Sequence, residues 1–113
     1  MTPKKLARTI GKLALEKNAF DILLLDLRKS SDVTNYFLII SGSVDVHVKA
    51  IADNIIGGLK EKDIKTWHVE GYKNLQWVLL DYVDVVVHIF QPAIREYYSL
   101  EKLWGDAPGE KIE

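Results

Sequence analysis

Apolar and polar residues change period several times along the chain, and each change marks an element. Residues 4–17 place Leu6, Ile10, Leu13 and Ala14 on one helical face, with Lys4, Lys5, Arg8 and Lys12 largely elsewhere, which predicts an amphipathic first helix. Gly11 inside it costs about 1 kcal/mol relative to alanine. Phe20 to Leu27 is a near-continuous apolar run suited to a strand covered on both faces. After the polar loop Arg28 to Asp32, Tyr36 to Ile40 forms a second buried strand, ended by Ser41-Gly42-Ser43. Ser43 is expected to cap a helix from about Val44. Val48, Ile51, Ala52, Ile55 and Leu59 follow at helical spacing, and Gly57-Gly58 is expected to loosen the last turn. Thr66 to Val69 alternates as a short strand. Leu75 to Tyr82 and Val85 to Phe90 read as a hairpin turning at Val83-Asp84 without the usual glycine. Pro92 suits the first turn of a last helix, about Ala93 to Leu103 or Trp104, which Gly105 and Pro108 stop. The polar tail beyond is expected to fray.

The order α-β-β-α-β-β-β-α predicts one domain over residues 1–113 of the α/β class, with an α+β-like mixed sheet of about five strands and helices packed on it. Composition agrees, with 48% hydrophobic and 27% charged residues in a chain of 113, enough for one core without staples. The absence of cysteine excludes disulfides and thiolate chemistry. A formal charge of -1 argues against a protein that grips nucleic acid unaided, so any RNA contact is expected to be secondary to protein contacts. Met1 to Lys17 is basic, but its charges interrupt the apolar run that a signal peptide needs. No stretch approaches the ~20 apolar residues of a membrane span.

Three constellations could carry chemistry. Ser41-Gly42-Ser43-Val44-Asp45 resembles the opening of the nucleotidyltransferase fold, where a Gly-Ser turn brings phosphate to a helix N-terminus. Catalysis there also needs two carboxylates at alternate strand positions. Asp81 and Asp84 are three apart, on opposite faces of a regular strand, so the turn reads as a capped strand-to-helix junction. His47, His68 and His88 fall on three different elements without the spacing of a helical metal pair. They read as residues with ordinary hydrogen bonds, and no metal or cofactor is expected. The last helix is more informative. Ile94, Tyr97, Tyr98, Leu100, Leu103 and Trp104 cover more than one helical face. Either the helix is buried on two sides or it presents Arg95, Tyr97, Tyr98, Glu101 and Trp104 as a docking surface.

Longer stretches carry a resemblance. Trp77 to Tyr82, Asp84 to Phe90 and Arg95 to Ala107 resemble the ribosomal silencing factor family, also called the Iojap family. Asp21 to Asp26, Tyr36 to Gly42, Ala50 to Asp53 and Glu70-Gly71 match in the same order, so the likeness spans about residues 5–107. It implies a nucleotidyltransferase-like fold without that fold's enzymatic carboxylates, and a non-catalytic translational repressor in the cytoplasm. Members bind the large ribosomal subunit through ribosomal protein L-fourteen and block joining of the small subunit, while organelle relatives assist large-subunit assembly. The implied contact residues are Trp77, Asp81, Tyr98, Leu100, Glu101 and Trp104. Little direct nucleic-acid contact and a possible homodimer follow from the same likeness. The chain departs from the family pattern at Asn35, Val44, Val46, His47 and Val83, but not in the C-terminal block.

Overall fold

The computed structural model describes residues 1–113. Its elements are α1 (Pro3–Leu15), β1 (Phe20–Asp26), β2 (Tyr36–Ser41), α2 (Asp45–Lys60), β3 (His68–Glu70), β4 (Trp77–Asp81), β5 (Val85–Phe90), α3 (Pro92–Tyr98), α4 (Leu100–Leu103) and β6 (Gly109–Ile112). The strands form one mixed sheet in the order β3-β4-β5-β2-β1-β6. Only β2 and β5 run parallel, in register from Tyr36 opposite Val85 to Ser41 opposite Phe90. A parallel pair needs a long return path, and α2 with β3 and β4 supplies it.

Strand alternation divides the core into two layers. Ile22 and Leu24, Leu38 and Ile40, Val78 and Leu80, and Val85, Val87 and Ile89 meet α1 and α2 on one face. On the other face Leu25, Leu27, Ile39 and Phe90 form a smaller buried cluster, against which Phe37, Trp77, Ile94, Leu100, Trp104 and Ala107 pack. All of β5 is buried because both faces are needed. The two long helices cover the first face, leaving only α3 and α4 for the second.

Several local expectations change. The sheet has six strands, because the tail is ordered as β6 along the outer edge of β1, pairing Ile22 with Ile112 through Leu25 with Gly109. Gly11 explains the docking of that strand: a Cβ there would lie 2.7 Å from Cδ1 of Ile112. The glycine that weakens α1 is thus what lets β6 lie against it. The last helix is not continuous, since Ser99 takes a left-handed conformation (φ 46) and divides α3 from α4. Ser43 does not cap α2. Val44 holds the cap position without a side-chain bond, and the Ser43 N–H donates to His47 Nδ1 at 2.9 Å. Helix α2 runs through Gly57-Gly58 to Lys60. The third strand begins at His68 rather than Thr66.

The β4–β5 turn pays for its missing glycine. Val83 sits at φ 71, a region that crowds a β-branched side chain. The turn is held by Asp81, whose Oδ1 accepts the Val83 N–H at 2.7 Å, and by the Tyr82 N–H donating to Val85 O at 2.9 Å. Val83 is exposed and loses little packing on truncation. Val83→Gly should therefore stabilise the fold by about 1 kcal/mol, as relieved strain outweighs glycine's entropy. The check is a higher urea midpoint at unchanged m; a lower midpoint would show that the valine side chain contributes more than its strain costs.

Candidate docking face

The second face of the sheet is built around Trp77. On β4 it stands opposite Phe90, and its ring stacks on that phenyl ring with centroids 4.8 Å apart. The indole N–H donates to Nδ1 of His88, its diagonal neighbour across the strand pair, at 3.0 Å. Indole can only donate, so Nδ1 accepts and the neutral imidazole carries its proton on Nε2. His88 is buried, and desolvation pushes its pKa down to about 4. Its ring meets Phe37 edge-on at 4.6 Å, and Nε2 has no hydrogen-bond partner. Trp77 is thus fixed in rotation by a polar contact beneath it and by aromatic packing beside it.

Helices α3 and α4 complete the face. Tyr98 lies against Trp77 at 4.9 Å and is half exposed, while Tyr97 packs edge-on to Tyr98 and is 80% exposed. Leu103 is also exposed. Leu100 and Trp104 pack against the small buried cluster, and Trp104 meets Phe37 edge-on at 6.0 Å. The turn at Ser99 makes this arrangement possible, because a straight helix could not set both Tyr98 and Leu100 on the sheet. Beside Trp104 the sheet is only partly covered, with Phe37 and Leu79 half-buried. Val33, Thr34, Phe37, Leu79, Asp81, Val86 and His88 line a notch of about 360 Å³ there.

Arg95 holds the helices to the sheet. Its side chain is 12% exposed, so its charge needs partners. Nε pairs with Glu101 Oε2 at 3.2 Å, and Nη1 donates to Ser41 Oγ at 2.7 Å and to the carbonyl of Asp21 at 2.5 Å. That carbonyl belongs to an irregular start of β1, where Asp21 has φ 49.

The six residues singled out from the sequence therefore share one side of the molecule but differ in exposure and partners. Trp77 and Tyr98 are in contact, and Trp77, Leu100 and Trp104 pack on the same buried cluster. Asp81 lines the notch while tying the β4–β5 turn. Glu101 is engaged by Arg95 through one oxygen, and its Oε1 is buried without a partner. Phe37 and the holding role of His88 were missed, although strand alternation places both on the Trp77 face. The Gly-Ser turn is occupied by packing. A Cβ on Gly42 would lie 3.0 Å from Ile51 and Val48 side chains. Asp45 Oδ1 accepts the Val46 N–H, and His47 Nε2 lies 2.7 Å from the carbonyl of Lys17. His47, His68 and His88 do not converge, and no group of three or more His, Asp or Glu is arranged to hold a metal. No helix is long and apolar enough to cross a membrane.

Comparison with known proteins gives the family of the chain. The family model "Ribosomal silencing factor during starvation" matches residues 1–113. The chain belongs to the ribosomal silencing factor family. It is 44% identical to Ribosomal silencing factor RsfS of Bacillus subtilis, over 96% of this chain and 92% of that protein. The mouse "Mitochondrial assembly of ribosomal large subunit protein 1" is 30% identical, over 81% of this chain and 42% of its own length. The crystal structure of protein CV0518 from Chromobacterium violaceum superposes with a TM-score of 0.90 at 32% identity, covering 93% of this chain and 88% of that one. The family fold anticipated from the motifs is thus the one found, an α+β domain on a mixed sheet.

The Trp77–His88 pair gives this family member a pH signature. In the unfolded chain the imidazole protonates near 6.5, but in the fold it stays neutral down to about 4. Its contribution is complete above pH 6.5 and is lost as pH falls from 6.5 to 4, a loss on the order of 3 kcal/mol. Urea denaturation at stepped pH should show a smaller acid loss for His88→Gln than for the parent. Equal pH slopes would contradict the assignment.

Proposed function

We propose that this protein represses translation without catalysis, by docking on the large ribosomal subunit through ribosomal protein L-fourteen and sterically blocking the small subunit. The observation that carries the reading is the half-covered second face: Tyr97, Tyr98 and Leu103 stay exposed beside a fixed Trp77 and an open apolar notch. A globular protein gains solubility by hiding such groups, so retaining them together favours an interface. The family's name supplies the ribosome and its silencing. A mitochondrial relative is named for large-subunit assembly, which favours that subunit as the partner. Tyr and Trp on a rigid sheet supply contact area at low entropic cost, and Asp81 at the notch suits a basic ribosomal protein.

Co-sedimentation with isolated large subunits tests the reading. The parent should pellet with large subunits and lower the yield of joined ribosomes on adding small subunits. Tyr98→Ala and Leu103→Ala remove mostly exposed groups and should leave folding intact, yet each should weaken binding about tenfold or more. Trp77→Ala should abolish binding, with a stability cost read separately by urea denaturation. Folded Tyr98→Ala and Leu103→Ala variants that bind as well as the parent would place the interface elsewhere.

A further inference from the structure

The molecule is electrically lopsided. Residues 1–17 hold five Lys or Arg and one Glu, a balance of +4, whereas the rest of the chain holds ten and fifteen, a balance of -5. The excess lies on α1, whose core side is Ala7, Ile10, Gly11 and Ala14. Lys4, Lys5, Arg8 and Lys12 fall within an arc of about 100° on the opposite side, and all four are exposed. Arg8 pairs with Glu110 of β6 at 3.0 Å, and Lys4 lies near Glu110 and Asp26 and helps hold both carboxyls below their usual range, whereas Lys5 and Lys12, like Lys17 just beyond the helix, form no ion pair.

Folding does not explain these charges. Lys4 and Lys5 occupy the first turn of α1, which contains no acidic residue, and cations there oppose the helix dipole. A stability-driven sequence would place Asp or Glu in that turn. Lys4 is compensated by Asp26 and Glu110, but Lys5 breaks the local rule without a compensating contact, which points to a use outside the fold. The apolar side of α1 is committed to the core, so a partner can meet only its charge. Unpaired lysines along two helical turns, on an otherwise acidic protein, complement a regular polyanion rather than an acidic pocket.

We propose that the exposed stripe of α1 is a second contact surface that takes an RNA phosphate backbone, with Lys5 and Lys12 as its unpaired cations and Lys4 beside them. The stripe borders the β6 edge, while the aromatic face lies on the other side of the sheet. The RNA contact is therefore separate from, and auxiliary to, the protein contact. In choosing ribosomal RNA as the biological source it rests on the docking reading above. It also locates the secondary RNA contact that a net charge of -1 allows. Backbone contacts of this kind add affinity and salt dependence without sequence preference.

The test uses Lys4→Gln, Lys5→Gln and Lys12→Gln combined in the full chain. Binding to large subunits is measured across a KCl series, and binding to a short labelled RNA duplex and to phosphatidylglycerol vesicles at low salt. Three lost phosphate contacts should reduce the slope of log K against log [KCl] by about 2. The triple variant should also lose RNA-duplex binding while Tyr98→Ala keeps it. Thermal unfolding guards against a folding artefact, since Lys4→Gln with Lys5→Gln should leave Tm unchanged or raised. An unchanged salt slope in the triple variant overturns the proposal, as does parent binding to vesicles but not to RNA. If the parent fails to bind large subunits, the docking reading falls, and the RNA-duplex arm alone judges the stripe.

Discussion

A six-stranded sheet has two faces to shield, and this chain spends both of its long helices on one. The crossover from β2 to its parallel partner β5 carries α2 over one face, and α1 packs beside it in the same core. The parallel pairing puts β5 in the interior of the sheet with every residue buried, so the second face must be covered too. What remains for it is α3, α4 and the segment leading into β6. These elements cover the Leu25, Leu27, Ile39 and Phe90 cluster and then run out, leaving half-buried Phe37 and Leu79 beside an open notch. The candidate interface is the uncovered remainder of a core layer.

That origin explains why the face is rigid as well as apolar. Trp77 is held by Phe90, Tyr98 and the buried imidazole of His88, which low-dielectric surroundings keep neutral. Arg95 fixes the short helices by joining Glu101 to Ser41 and to the irregular start of β1. A surface arranged before it meets a partner loses less entropy on binding. The Trp77–His88 contact sits beneath the surface rather than on it, so the aromatic rings are what a partner would meet there.

Much of this was legible in the sequence, and the misses have physical causes. Apolar runs located β1, β2 and β5, because doubly covered strands need no alternation. The 3.6-residue period of Val48, Ile51, Ala52, Ile55 and Leu59 located α2. The C-terminal strand was not legible: Gly109–Ile112 has little intrinsic strand character and forms because the edge of β1 offers hydrogen bonds and Gly11 offers room for Ile112. Such pairing depends on residues about a hundred positions apart. The break at Ser99 escaped notice because serine signals neither helix nor turn strongly. On the candidate face, residue type singled out Tyr98 and Trp104, and the family resemblance singled out Trp77. That Glu101 faces Arg95 required the helix break at Ser99, and that His88 holds Trp77 required the strand register.

The central claim is that the half-covered sheet face makes the main protein contact with the large subunit. Hydrogen–deuterium exchange of the protein bound to isolated large subunits, compared with the free protein, tests it directly. The account predicts added protection in β4 and from Pro92 to Trp104, with α2 and β3 unchanged. Protection concentrated on α2 and β3, with β4 and the short helices exchanging as in the free protein, would contradict it.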